Sequence, residues 1–308
     1  ETLKKRAKRK YLSHALSLSL VRHCDLNPDQ DDLKKSYWNS YHCAEKLAED
    51  NGKISGEYCK NRWCLVCNAI RQIVLKNKYG ETIESWEDKH FVTLTVPNCK
   101  ADELDSIMKG MYKIFTRIKD MFYRRWRRGK GSKFVGLRKL ECTYNPVRKD
   151  YHPHFHLIVN SKDLAEELVE EWLKRNPDCD RKAQDVREAD ENSTRELFKY
   201  FTKVITTHDK EKKIYAHALN TIFRTIKGKR TFQPFGFKAL KIEEEEIQEE
   251  EDIVTEENTE NQPYPQLFMW EQEIGDWVNR NTGELLSGHQ ISESLKEIVN
   301  NKILLDSS

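Results

Sequence analysis

Three cysteines fall within nine residues, as Cys59-x4-Cys64-x2-Cys67, and a fourth, Cys43, lies sixteen positions before the first of them. Thiols at this spacing can converge on one tetrahedral ion, and the segment that carries them must then fold around that point. Such crowding suits a metal in a reducing compartment better than a disulfide framework. The expected ion is a structural Zn2+ held by Cys43, Cys59, Cys64 and Cys67, with His42 competing for the fourth place. Buried free thiols are the alternative.

Charge divides the chain. Residues 243–308 hold 3 Lys or Arg against 18 Asp or Glu, a formal −15, so residues 1–242, with 50 against 33, carry +17. A body this basic has the footprint of a polyanion binder, because each Lys or Arg set against a phosphate releases condensed counterions. A merely soluble basic surface is the bland alternative. The acidic run IEEEEIQEEEDIVTEENTENQ is too charged to bury a core and reads as a disordered linker. No stretch approaches the ~18 apolar residues of a membrane span, and the basic arm LKKRAKRK, residues 3–10, lacks the apolar run of a signal peptide, so a cytoplasmic protein is expected.

Helical and strand periodicities interleave between these features. A helix is predicted over Cys67–Tyr79, stopping at Gly80. A strand follows at 91–97, in which Val92, Leu94 and Val96 alternate with Phe91, Thr93 and Thr95. Residues 102–128 place Leu104, Ile107, Met108, Met111, Ile114, Phe115 and Ile118 at helical spacing, then turn basic at Arg124, Arg125, Arg127 and Arg128, a candidate DNA-backbone contact. KLECTYN (139–145) and HFHLIVN (154–160) should pair as antiparallel strands across a short Pro-containing link. Helices follow at 163–175 and from near Ser193 to 206. The segment LFMWEQEIGDWVNRNTGELL reads as a hairpin turning at Asn281-Thr282-Gly283. The fold class is α+β. The expected divisions are a basic arm and zinc-binding module over 1–85, a main domain over 86–242, the acidic linker over 243–262, and a C-terminal hairpin and helix segment over 263–308.

Two constellations carry chemistry. His154 and His156 alternate on a strand and so project from one face. If KLECTYN is the neighbouring strand, Glu141 adds a carboxylate, and two imidazoles with a carboxylate suit Mg2+ or Mn2+ with positions left open for phosphate oxygens. A solvated strand face is the competing reading of His-x-His. In the predicted helix from Ser193, Glu196, Tyr200 and Lys203 follow i, i+4, i+7 spacing and share a face, with Lys199 beside them. A phenol with a reference pKa near ~10 needs cationic neighbours to act as a nucleophile, which Lys199 and Lys203 could supply. Against this, Ser193-Thr-Arg-Glu196 also satisfies a capping box, and Tyr200 could simply pack with Phe198 and Phe201.

Taken in order, Cys-x4-Cys-x2-Cys, FVTLTVPN, LECTYN with HPHFH, and the E-x-x-K-Y-x-x-K helix resemble the HUH family, named for His-hydrophobic-His, over roughly residues 40–205. Within it they resemble the plasmid rolling-circle Rep proteins that carry one tyrosine and one glutamate. The resemblance implies a central antiparallel sheet of about five strands with helices on one side. It implies that Tyr200 is the nicking nucleophile, that Glu196 activates the terminating hydrolysis, and that His154, His156 and Glu141 hold the catalytic metal. It also implies single-stranded or hairpin origin DNA as substrate, with a host helicase and polymerase as partners. An HUH transposase typically carries two tyrosines on this helix, where position 196 here is Glu. A zinc-containing DNA-binding regulator is the non-enzymatic alternative.

Overall fold

The computed structural model describes residues 3–198, 213–236, 253–254 and 265–305. Along the chain these form α1 (Leu3–Leu26), α2 (Lys34–Tyr41), β1 (Lys46–Asp50), β2 (Lys53–Gly56), α3 (Leu65–Glu84), β3 (His90–Thr95) and α4 (Leu104–Arg127). Then come β4 (Gly136–Asn145), β5 (Asp150–Val159), α5 (Lys162–Arg175), β6 (Asp185–Glu188), α6 (Glu191–Phe198), β7 (Ile214–Tyr215), α7 (Ala216–Ile226) and β8 (Phe232–Phe235). The last elements are β9 (Ile253–Val254), β10 (Gln266–Glu271), β11 (Asp276–Asn279), α8 (Glu293–Glu297) and β12 (Ile303–Leu304). They gather into two compact units, one of Glu1–Val74, Lys210–Asn220 and Ile242–Ser308, the other of Leu75–Asp209 and Thr221–Lys241.

The second unit is built on a five-stranded sheet in the order β6-β3-β5-β4-β8, antiparallel at every pairing. Helix α4 forms because Leu104, Met108, Met111, Phe115, Ile118 and Phe122 recur every three or four residues, and all six are buried. It and α5 cover one sheet face, where the Phe155 ring lies 5.6 Å from Tyr112, 5.8 Å from Phe115 and 5.9 Å from Trp172. The expectation of helices on one side alone is incomplete. Leu75, Tyr79 and Ile83 of α3 and Leu197 and Phe198 of α6 cluster with Phe91, Leu137 and Ile158 on the opposite face. Apolar area at both faces explains why β3 is buried along most of its length.

The predicted stop at Gly80 does not hold, since α3 runs on to Glu84. Burial of Leu75, Tyr79 and Ile83, spaced four apart, outweighs the ~1 kcal/mol that a helical glycine costs. The capping box at Ser193 does not hold either. Helix α6 starts at Glu191, and the Asp190 carboxylate accepts from the Ser193 N–H at 2.7 Å, so Asp190 is the N-cap and Ser193 lies in the first turn.

In the first unit the cysteine segment is completed by the far end of the chain. Strands β10 and β11 form the expected hairpin, but its turn is Gln272–Gly275; Asn281-Thr282-Gly283 instead returns the chain so that Leu285 bridges Val278. Strand β10 pairs with β1 in a sheet ordered β11-β10-β1-β2-β9. The sequence boundaries therefore need correcting: residues 265–305 belong with the cysteine module, because Phe268, Trp270 and Trp277 fill its core beside Cys43, Cys64 and Cys67. The acidic stretch lies mostly outside the described residues, although Ile253 and Val254 within it pair with Ile54 and Lys53 of β2. The basic arm is a further correction, since it forms the first turns of α1 with Ala7 and Lys10 buried.

Trp277 is fully buried, and its Nε1 donates to Ala44 O at 2.7 Å. Replacing it with alanine should cost about 3–5 kcal/mol of unfolding free energy, read by chemical denaturation. Unchanged stability would mean that the C-terminal hairpin is not part of this core.

Candidate active site

Antiparallel register sets the site. On the sheet face opposite Phe155, three rows of cross-strand neighbours run side by side: Thr95, His154 and Glu141; then Thr93, His156 and Lys139; then Phe91, Ile158 and Leu137. Because side chains alternate along each strand, all nine project from the same face. The third row lies under α3 and α6. The first two bring Glu141, His154 and His156 together, with a ligand atom of each within 4.8 Å of the others.

Each imidazole is oriented from behind. His154 Nδ1 lies 3.0 Å from the His152 carbonyl, and His156 Nδ1 lies 3.2 Å from Thr93 Oγ1. Both Nε2 atoms thereby face Glu141 Oε2, each at 3.5 Å. An octahedral ion with ~2.1 Å bonds has ligand edges of about 3.0 Å, so a small side-chain rotation would close the set on a cation. Burial lowers the His156 pKa, favouring the neutral ring that a metal would require, and takes the neighbouring His152 down to about 4. Burial works against ionisation of Glu141, yet hydrogen bonds from His154 and His156 and the Lys139 ammonium outweigh it and hold the carboxyl far below the usual range.

Lys139 is the residue that the motif reading missed. It is buried, pairs with Glu141 Oε1, and its Nζ donates to the Glu196 carbonyl of α6 at 3.1 Å. One ammonium thus ties the carboxylate of the triad to the last described turn of the helix. Its signal was present in Lys139-Leu-Glu141, where alternate strand positions must share a face. Glu196 itself is half-buried on α6, whereas Lys199, Tyr200 and Lys203 lie outside the described residues. Arg124, Arg127 and Arg128 are exposed at the end of α4, and Arg125 pairs with Glu167; the helix that carries them packs on the other face of the sheet, so they are not gathered with the triad.

In the first unit, the Cys43, Cys59, Cys64 and Cys67 sulfurs also lie within 4.8 Å of one another, with 3.5 Å from Cys43 to Cys67 and 3.6 Å from Cys59 to Cys67. His42 is not among them. Its ring is exposed and pairs with Glu45 at 2.7 Å, which removes it as the fourth ligand. Burial of Cys64 opposes ionisation, but hydrogen bonds from the other three thiols more than offset it and hold this sulfur well below the ordinary thiol range. Lys10, whose Nζ donates to the Tyr41 carbonyl at 2.7 Å, puts a buried cation near Cys43 and Cys64.

Removing Lys139 would leave Glu141 buried without its cationic partner. Lys139→Met should cost about 3–5 kcal/mol in metal-free protein, and saturating Mn2+ should return part of that loss by replacing the missing charge. A variant as stable as the parent, measured by denaturant titration with and without Mn2+, would show that the ion pair does not organise this face.

Comparison with known proteins agrees in direction. A family model described as "Replication protein", Rep_1, matches residues 53–278 and so spans parts of both compact units. A protein named "Protein rep" from Staphylococcus aureus is 35% identical over 122 residues, 38% of this chain and 51% of its own length. A "Protein rep" from Streptococcus pneumoniae is 29% identical over 113 residues, 34% of this chain and 33% of its own, and one from a Bacillus species is 29% identical over 133, 38% and 40% respectively. The matches thus reach about half the length of the first relative and less of the others. No solved structure matches the chain. Among the described residues no helix is long and apolar enough to cross a membrane. With the family match covering well over half of its residues, the chain belongs to the Rep_1 replication protein family.

Proposed function

We propose that this protein nicks and rejoins one strand of origin DNA to start and finish rolling-circle replication of a plasmid. The observation that carries the reading is the docking of α6 on the sheet face that bears Glu141, His154 and His156, with Lys139 bonded to both. Tyr200 lies outside the described residues, two positions after Phe198, and chain length alone allows it at most about 7 Å from there.

In this reaction the Tyr200 oxygen attacks the scissile phosphorus. A new P–O bond to the tyrosine forms as the bond to the 3′ oxygen breaks, leaving a 5′-phosphotyrosine and, after protonation by water, a free 3′-hydroxyl for a polymerase to extend. Lys199 and Lys203 favour the ionised phenol. Glu196 serves as general base for the second transfer that closes the cycle. Mg2+ or Mn2+ held by Glu141, His154 and His156 would supply Lewis-acid polarisation of the phosphate.

The four cysteines fit a structural Zn2+. A tetrahedron with ~2.3 Å Zn–S bonds has edges of about 3.8 Å, close to the sulfur separations of 3.5 and 3.6 Å. A cytoplasmic site of action and recruitment of host helicase and polymerase belong to the same proposal.

With single-stranded origin DNA and Mn2+, Tyr200→Phe should abolish the covalent protein–DNA adduct on a denaturing gel while leaving binding within about twofold. Glu196→Ala should still form the adduct but resolve it slowly. An adduct formed by the Tyr200→Phe protein would remove this residue from the chemistry.

A further inference from the structure

A cleft of about 380 Å³ lies on the second unit where α4 meets the edge strand β8, lined by Lys119, Asp120, Tyr123, Trp126, Lys133 and Phe134, with Pro234, Phe235 and Gly236 as its floor. Its walls are aromatic. Tyr123 is 58% exposed, its ring 5.9 Å from Trp126, while Phe134 stacks 4.6 Å from Phe235. Lys133 Nζ lies 5.3 Å from the centre of the Trp126 ring. The floor is fixed by Gly236, at φ +80, where a Cβ would lie 2.1 Å from the Phe134 carbonyl oxygen. Only a residue without a side chain lets the backbone pass this close.

Two cations, Lys119 and Lys133, line the cleft with one acidic side chain, Asp120, and the exposed Arg127, Arg128 and Lys130 follow Trp126 closely in the chain; none of these five cations forms an ion pair with a described residue. Half-exposed aromatic rings beside lysines suit an unpaired base and its phosphate: every base offers a π-face, and the phosphate finds a positive neighbour.

We infer that this cleft is a second binding site, for unpaired bases of single-stranded DNA, distinct from the Glu141–His154–His156 centre. Trp126 and Tyr123 stack the bases, while Arg127, Arg128 and Lys133 meet the backbone. The two sites lie on opposite sides of one sheet edge. By register Pro234 of β8 shares the row of Leu137 on the triad face, while the Phe235 ring meets Phe115 of α4 edge to face at 5.6 Å. A strand engaged at the triad therefore reaches the cleft by turning around β8. That connection rests on the proposed nicking reaction; the cleft's affinity for bases does not.

Binding of fluorescent oligothymidylate of about 15 nucleotides to the full chain, in EDTA so that the triad's metal plays no part, tests the inference. Trp126→Ala should weaken binding about 5- to 150-fold, and Trp126→Phe should restore most of the loss. Neither change should alter the salt slope, which Arg127→Ala should reduce by about one. Tyr123→Ala gives an independent arm at an exposed position should Trp126→Ala fold poorly. Parent-like affinity of folded Tyr123→Ala and Trp126→Ala proteins would overturn the stacking site, as would equal displacement of the probe by duplex DNA or by polyglutamate, which would reduce the cleft to an anion patch. If Tyr200→Phe still forms an adduct while the aromatic variants lose affinity, the cleft stands and the nicking reading falls.

Discussion

The candidate active site depends on one pairing, Glu141 directly across from His154 in the β4–β5 ladder. A slip of one residue would send both His154 and His156 into the layer now filled by Phe155, and Phe155 onto the face now holding the carboxylate. Alternation prevents that slip. Phe155, Leu157 and Val159 are fully buried against α4 and α5, so a one-residue shift would expose them and bury imidazoles in their place. Hydrophobic packing on one face thus sets which side chains meet on the other.

Charge then determines how that face is completed. A buried carboxylate beside His154 and His156 is tolerated because Lys139 supplies a counter-charge, and the same ammonium bonds to the end of α6. A cation entering between Glu141 and the imidazoles would compete with Lys139 for the carboxylate, linking occupancy of the centre to the hold on the helix. The cysteine unit follows a parallel logic, with Lys10 as the buried cation near Cys43, Cys59 and Cys64 and Trp277 in the core beside them. In both units a lysine that composition alone would assign to the solvated surface is an interior residue.

Much of this was legible in the sequence because period and spacing are local. Helix α4, the β4–β5 pair and the convergence of Cys43, Cys59, Cys64 and Cys67 all follow from residues close together in the chain. What escaped was set by distant partners. Gly80 stays helical only because Tyr79 and Ile83 meet Phe91 and Leu137, and the basic stretch before Tyr11 is helical because Ala7 and Tyr11 join the core completed by Trp270. The C-terminal hairpin showed its strands but not its place, since nothing local to residues 265–305 says that β10 pairs with β1. His42 failed as a ligand for a nearer reason: Glu45, one turn on, captures its ring.

Pulsed electron paramagnetic resonance of the protein loaded with one equivalent of Mn2+ tests the central claim most directly, because it counts the nitrogens bound to the ion. The account predicts hyperfine coupling from two imidazole nitrogens, reduced to one in His154→Ala or His156→Ala and unaffected by replacing His152. A Mn2+ spectrum without imidazole coupling, or one unchanged by loss of either histidine, would contradict it.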